Sequence, residues 1–67
     1  MIVNNVAKIL KAKGKSKYWL KSKMNISYTN LNRICNNESI QIRYDTLEKL
    51  IEILECDFNS LLEIQED

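Results

Sequence analysis

Residues 16 to 37 read SKYWLKSKMNISYTNLNRICNN, and the order of caps, apolar residues and polar residues in this run decides the fold. Ser16 suits the cap of a helix from about Lys17 to Met24, because its hydroxyl accepts an orphan backbone N–H of the first turn. Leu20 and Met24 stand one turn apart and give that helix its inner face. Asn25 follows, one of the few side chains tolerant of the left-handed conformation. Ile26 is an isolated apolar plug. Ser27 then repeats the cap for a short helix from Tyr28 to about Cys35, buried through Leu31, Ile34 and Cys35. Asn36 and Asn37 supply left-handed residues to stop it. Two short helices joined by a three-residue turn that holds a plug make a helix-turn-helix unit. Leu20, Ile26, Leu31 and Ile34 set the angle between them.

Outward from this unit the helical pattern continues. Val3, Val6, Ala7 and Leu10 form the i, i+3, i+4, i+7 stripe of an amphipathic helix ending near Gly14. After a polar loop to Ile42, Leu47, Leu50, Ile51 and Leu54 give a second full stripe, for a helix from about Tyr44 to Glu55. Asp45 sits in its first turn, where a carboxylate favours the helix dipole. Asp57 caps a last short helix containing Phe58, Leu61 and Leu62. The expected fold class is all-α: five short helices and no strand, in a single domain over residues 1–67.

Composition agrees with helices. The chain has 67 residues, no proline and one glycine, so its turns fall to Asn, Ser and Asp rather than to hairpin residues. Histidine is absent, and Cys35 and Cys56 stand too far apart for a zinc-binding spacing. No metal or cofactor is therefore expected. The two thiols are expected to stay reduced and to behave as small buried hydrophobes. No apolar run approaches the ~20 residues of a membrane span, and a signal-peptide pattern is not evident at the amino terminus. The expected compartment is the cytoplasm. Catalysis is not expected, because acid–base chemistry without histidine needs desolvated carboxylates or lysines in a pocket.

Charge is more telling than its sum. The net charge is +1, yet residues 1–37 carry eight cations and no carboxylate. Residues 38–67 carry nine carboxylates against Arg43 and Lys49. One half attracts a polyanion and the other repels it. The third helix adds a polar outer side of Tyr28, Thr29, Asn32 and Arg33. Arg can bridge guanine O6 and N7, Asn can pair with adenine N6 and N7, and Thr can meet a thymine methyl. Tyr28 can stack or bond to phosphate. In a helix-turn-helix the second helix of the unit lies in the major groove while the first braces across the backbone.

The run quoted above, followed by TLEKLIEILECDFNSLLE, resembles the Cro/repressor-type (XRE-like) helix-turn-helix family of phage and bacterial transcriptional regulators. The likeness extends from about Val6 to Glu63. It implies a lambda-repressor-like DNA-binding domain with its helix-turn-helix at helices 2 and 3. It also implies base reading through Tyr28 and Thr29, then Asn32 or Arg33. Phosphate contacts would come from Lys17, Ser27, Asn36 and Arg43. The implied partner is double-stranded DNA, bound by a homodimer packed through the last helix, with repression of transcription as the expected role. The chain departs from the family at Lys21, where a small Ala is usual, and at Asn25 and Asn37, which replace turn glycines. Trp19 stands where many members have a polar residue and is expected either to pack half-buried or to contact a phosphate or a partner.

A second function class fits the same fold: a protein-interaction module such as an antitoxin or antirepressor. Ile53, Phe58, Leu61, Leu62 and Ile64 exceed what a small core requires, so some of them could face a partner. Salt separates the two. DNA binding weakens by about 0.9 in log K per neutralised phosphate for each tenfold rise in salt, whereas an apolar contact responds far less.

Overall fold

The two serine caps form where the sequence places them. The Oγ of Ser16 accepts the Trp19 amide at 3.1 Å, and the Oγ of Ser27 accepts the Asn30 amide, also at 3.1 Å. The computed structural model describes residues 1–38 and 41–66. Ser39 and Ile40, within the loop expected before Ile42, and Asp67 lie outside the described residues. In chain order the elements are β1 (Ile2–Asn4), α1 (Val6–Lys13), α2 (Lys17–Met24), α3 (Tyr28–Cys35), α4 (Tyr44–Leu54), α5 (Phe58–Leu61) and β2 (Leu62–Ile64).

Helix ends follow the same local logic. Gly14 (φ 67°), Asn25 (φ 57°) and Asn37 (φ 58°) are left-handed, as their residue types allow. Asn36 is not: with φ −90° and ψ 3° it stays near the helical region and leaves the turn to Asn37. Helix α4 stops at Leu54, one residue earlier than the expected Glu55. Glu55 itself adopts φ 52°, a conformation that disfavours a Cβ by roughly 1–2 kcal/mol. Its amide still reaches the Ile51 carbonyl, which satisfies one open acceptor of the helix end.

One apolar cluster holds the helices together. Val6, Leu20, Leu31, Leu50, Leu54 and Leu61 are fully buried, with Leu10 and Met24 nearly so. Ile26 packs against this cluster, as a plug should, and so does half-buried Trp19. Helix α2 lies against both α3 and α4, so the helix-turn-helix is backed by the rest of the domain.

The expectation of no strand is corrected. Ile2, Val3 and Asn4 pair antiparallel with Ile64, Glu63 and Leu62, respectively. Each strand is three residues long and its partner lies across the whole chain, so no local period or turn residue announces it. Val3 is therefore buried from a strand rather than from the α1 stripe, and Ala7 is exposed. Ile9 is half-buried against the core instead. At the other end, Leu62 belongs to β2 and not to the last helix. Phe58 opens α5 but remains 55% exposed.

Both cysteines are free: Cys35 is buried and Cys56 half-buried. Burial pushes the Cys35 thiol up, partly opposed by the Lys17 ammonium. The Cys56 thiol is raised by burial and by Asp57, with Lys13 opposing. Both shifts disfavour the reactive thiolate. Among the described residues, no helix is long and apolar enough to cross a membrane.

Candidate nucleic-acid interface

Helix α3 divides by its own periodicity. Leu31, Ile34 and Cys35 face inward, and Thr29, Arg33 and Asn36 fall on the opposite, exposed arc. Ser27 is exposed at the head of this helix. Its Oγ accepts the Asn30 amide, so the hydroxyl hydrogen stays available to an outside acceptor. Tyr28 is 45% exposed beside it. The candidate residues Ser27, Tyr28 and Thr29 thus sit at the head of a two-turn helix, and Arg33 and Asn36 follow Thr29 along its exposed side.

Asn32 and Lys17 occupy a different position. Asn32 lies on the flank of α3 nearest the start of α2, and both residues are half-buried. The Lys17 ammonium donates to the Asn32 Oδ1 at 3.2 Å, tying the first residue of α2 to the second turn of α3. The bond leaves the Asn32 Nδ2 hydrogens to donate elsewhere. Sequence alone gave these two residues separate roles. Their contact depends on the interhelix angle, which the linear pattern does not carry.

On the other flank, Asn30 and Arg33 share a shallow groove with Gln41, Arg43 and Thr46, over a floor that includes Ile26 and Ile42. This groove brings Arg33 and Arg43 to one surface. Asn30, Gln41 and Thr46 were not singled out from sequence; the signal for Asn30 was its polar, outward position one residue after Thr29. Arg43 is exposed, and its Nε lies 3.2 Å from Asp45 Oδ1. The same carboxylate oxygen accepts the Thr46 amide at 2.9 Å. An ion pair this exposed contributes about 0–1 kcal/mol, so a phosphate can compete for the guanidinium.

Helix α2 presents cations held by aromatic rings. Lys21, where the family has a small residue, is half-buried, with its Nζ 5.7 Å from the centroid of the Tyr18 ring. The stem covers apolar surface while the charge reaches outward over the ring. Lys15 stands likewise over Trp19, at 5.2 Å. Trp19 thus packs inward on the core and outward on a cation. Among the described residues, no group of three or more His, Cys, Asp or Glu side chains could hold a metal ion.

A cationic brace helix, a capped second helix with a polar outer arc and an apolar plug between them form a surface suited to a duplex polyanion. Residues 5–67 match the Cro/C1-type HTH DNA-binding domain. Among curated proteins none matches the chain. The fold is similar to the crystal structure of a Bacteroides fragilis protein described as a candidate DNA-binding protein, with a TM-score of 0.84 and 32% identity. That likeness covers 94% of this chain and 100% of the other. With nearly its whole length in register, the chain belongs to the Cro/C1-type helix-turn-helix family of DNA-binding domains.

Proposed function

We propose that residues 1–67 act as one sequence-specific transcriptional regulator, a repressor, which reads the major groove with α3 as a homodimer. The observation that carries this reading is the exposed arc of Thr29, Arg33 and Asn36, set in a segment of 37 residues with no carboxylate. Arg33 reads guanine through O6 and N7, and Thr29 meets a thymine methyl. Tyr28 contributes at the head of the helix. Between Arg33 and Asn32, exposure favours Arg33 for the base contact. Asn32, with Oδ1 engaged by Lys17, offers its amide hydrogens to a base acceptor at the groove edge. Lys17, Ser27, Asn36 and Arg43 take phosphates. A backbone contact of this kind positions the protein, while contacts to base edges specify the site.

The homodimer reading is supported by a second surface. Tyr44 is 89% exposed and Phe58 55% exposed, and they border an apolar groove with Leu47 and Ile51 on α4 and α5. Aromatic side chains left open in this way supply the buried anchors that protein contacts use.

Selection of bound duplexes from a random pool, repeated at two salt concentrations, tests the proposal. The expected product is an inverted repeat with half-sites about 34 Å apart, or one helical turn. Affinity should fall steeply with salt, by about 0.9 in log K per neutralised phosphate for each tenfold rise. A pool that shows no enriched sequence would remove the specific-reading claim. Salt-insensitive capture of a protein by the α4–α5 groove, without DNA binding, would favour the interaction-module function.

A further inference from the structure

Two asparagines far apart in the chain close around each other at the end of α3. Asn37 Oδ1 accepts the Asn4 amide at 2.8 Å, and Asn37 Nδ2 donates to the Asn4 carbonyl at 3.3 Å. The Asn4 side chain works in two further directions. Its Nδ2 donates to the Ile34 carbonyl in the last turn of α3 at 2.7 Å, and its Oδ1 accepts the Val6 amide that opens α1 at 3.1 Å. Asn4 is only 8% exposed, so these polar atoms meet each other rather than water.

The β ladder explains why Asn4 has main-chain groups to offer. Met1 and Gln65 exchange hydrogen bonds, and the Asn5 amide reaches the Leu61 carbonyl, so alternate residues of the first strand face β2. Asn4, between them, turns its N–H and C=O to the opposite edge. There the Asn37 amide supplies one donor and one acceptor, as a third strand would at a single residue. Asn37 serves this role while holding φ 58°, where glycine would serve the backbone equally well. A glycine at this turn would stop the helix without fastening it.

We infer that Asn4 and Asn37 are positioning residues for DNA reading: together they fasten the C-terminal end of α3 to β1 and so set where Arg33 and Asn36 meet the duplex. This rests on α3 being the reading helix. The N-terminal end of α3 is fixed by the Ser27 cap and the Ile26 plug. Its far end carries Arg33 beside the bonded Ile34 carbonyl and Asn36 beside Asn37. An eight-residue helix is about 12 Å long, so a pivot of roughly 5° at one end moves the other by about 1 Å. Base contacts tolerate about half of that.

The test compares Asn37→Gly, Asn37→Asp and Arg33→Ala, each measured on the selected site and on random duplex, with the folded fraction taken from thermal unfolding. Asn37→Gly keeps the left-handed turn and removes the amide. It should lose about ten-fold in affinity for the selected site, the scale of one mismatched base pair. Binding to random duplex should change by less than about two-fold, because the phosphate-binding cations remain. Preference at the base pair read by Arg33 should relax. Asn37→Asp keeps the acceptor for the Asn4 amide and loses the donor, so its loss should be intermediate; it carries the same readout if the glycine variant fails to fold. Equal losses on both duplexes, tracking the folded fraction with preference intact, would overturn the inference and leave the pair a structural role only. If Arg33→Ala itself leaves preference untouched, the assignment of α3 as reading helix has failed instead.

Discussion

Helices α2 and α3 are nearly the same object built twice. Each has eight residues, each starts from a serine whose Oγ accepts an amide at 3.1 Å, and each buries one leucine completely, Leu20 or Leu31. They differ in what faces away. Helix α2 carries Lys17, Lys21 and Lys23, point charges on flexible stems. Helix α3 carries Thr29, Asn30, Asn32 and a single cation, Arg33. An ammonium follows phosphate whatever the base sequence, whereas amides and a planar guanidinium match the geometry of base edges. On the function proposed above, equivalent scaffolds would thus divide phosphate gripping and base reading between them through their side-chain chemistry.

The largest effects should come from what the two helices share. Leu20→Ala and Leu31→Ala should each lower stability by about 2–5 kcal/mol, read from denaturant unfolding. A loss under about 1 kcal/mol at either position would mean that its helix is braced by something else. Next comes the chemistry that separates them. Arg33→Ala should remove about 1–3 kcal/mol of discrimination at one base pair in competition binding. Lys17→Ala should weaken all duplexes alike and flatten the log K–log salt slope by about 0.9. If the two exchange these signatures, the division of labour is reversed.

Smaller effects probe the caps. Ser16→Ala and Ser27→Ala should each destabilise by about 1 kcal/mol, with only the second also reducing DNA affinity. A similar DNA effect from Ser16→Ala would show that both helix heads touch the duplex. The weakest effect belongs to α5, which uses Asp57 where α2 and α3 use serine. The Ser60 side chain and amide hold the Asp57 carboxyl below its ordinary value. With the folded pKa depressed, the stabilisation is full above the unfolded pKa and is lost as pH falls through the folded one. Asp57→Ser should therefore flatten the acid limb of the stability curve below about pH 4, monitored by circular dichroism. An unchanged limb would place the acid sensitivity elsewhere.

The helix-turn-helix was legible because everything that forms it is local. Caps, the left-handed Asn25, the Ile26 plug and the inward leucines all act within 22 consecutive residues. The β1–β2 pair was not legible, because Val3 fits a helical stripe equally well until its partner Glu63 is known. Asn4 escaped notice for the same reason: its contacts are 30 and 33 residues away. In the interface, the exposed arc of Thr29 and Arg33 follows from helical period. The Lys17–Asn32 bond and the groove joining Arg33 to Arg43 required the angle between elements. Lys21 was readable as a departure from the family's small residue, though not the Tyr18 ring that receives its charge.

The Met1 ammonium donates to the Gln65 carbonyl at 3.1 Å, and the Gln65 amide returns a bond to the Met1 carbonyl at 2.7 Å. Residues 1 and 65 are thereby held side by side. A covalent link between these two neighbours would leave the native ladder undisturbed and shrink the denatured ensemble, an entropic gain in ruggedness that adds no contact.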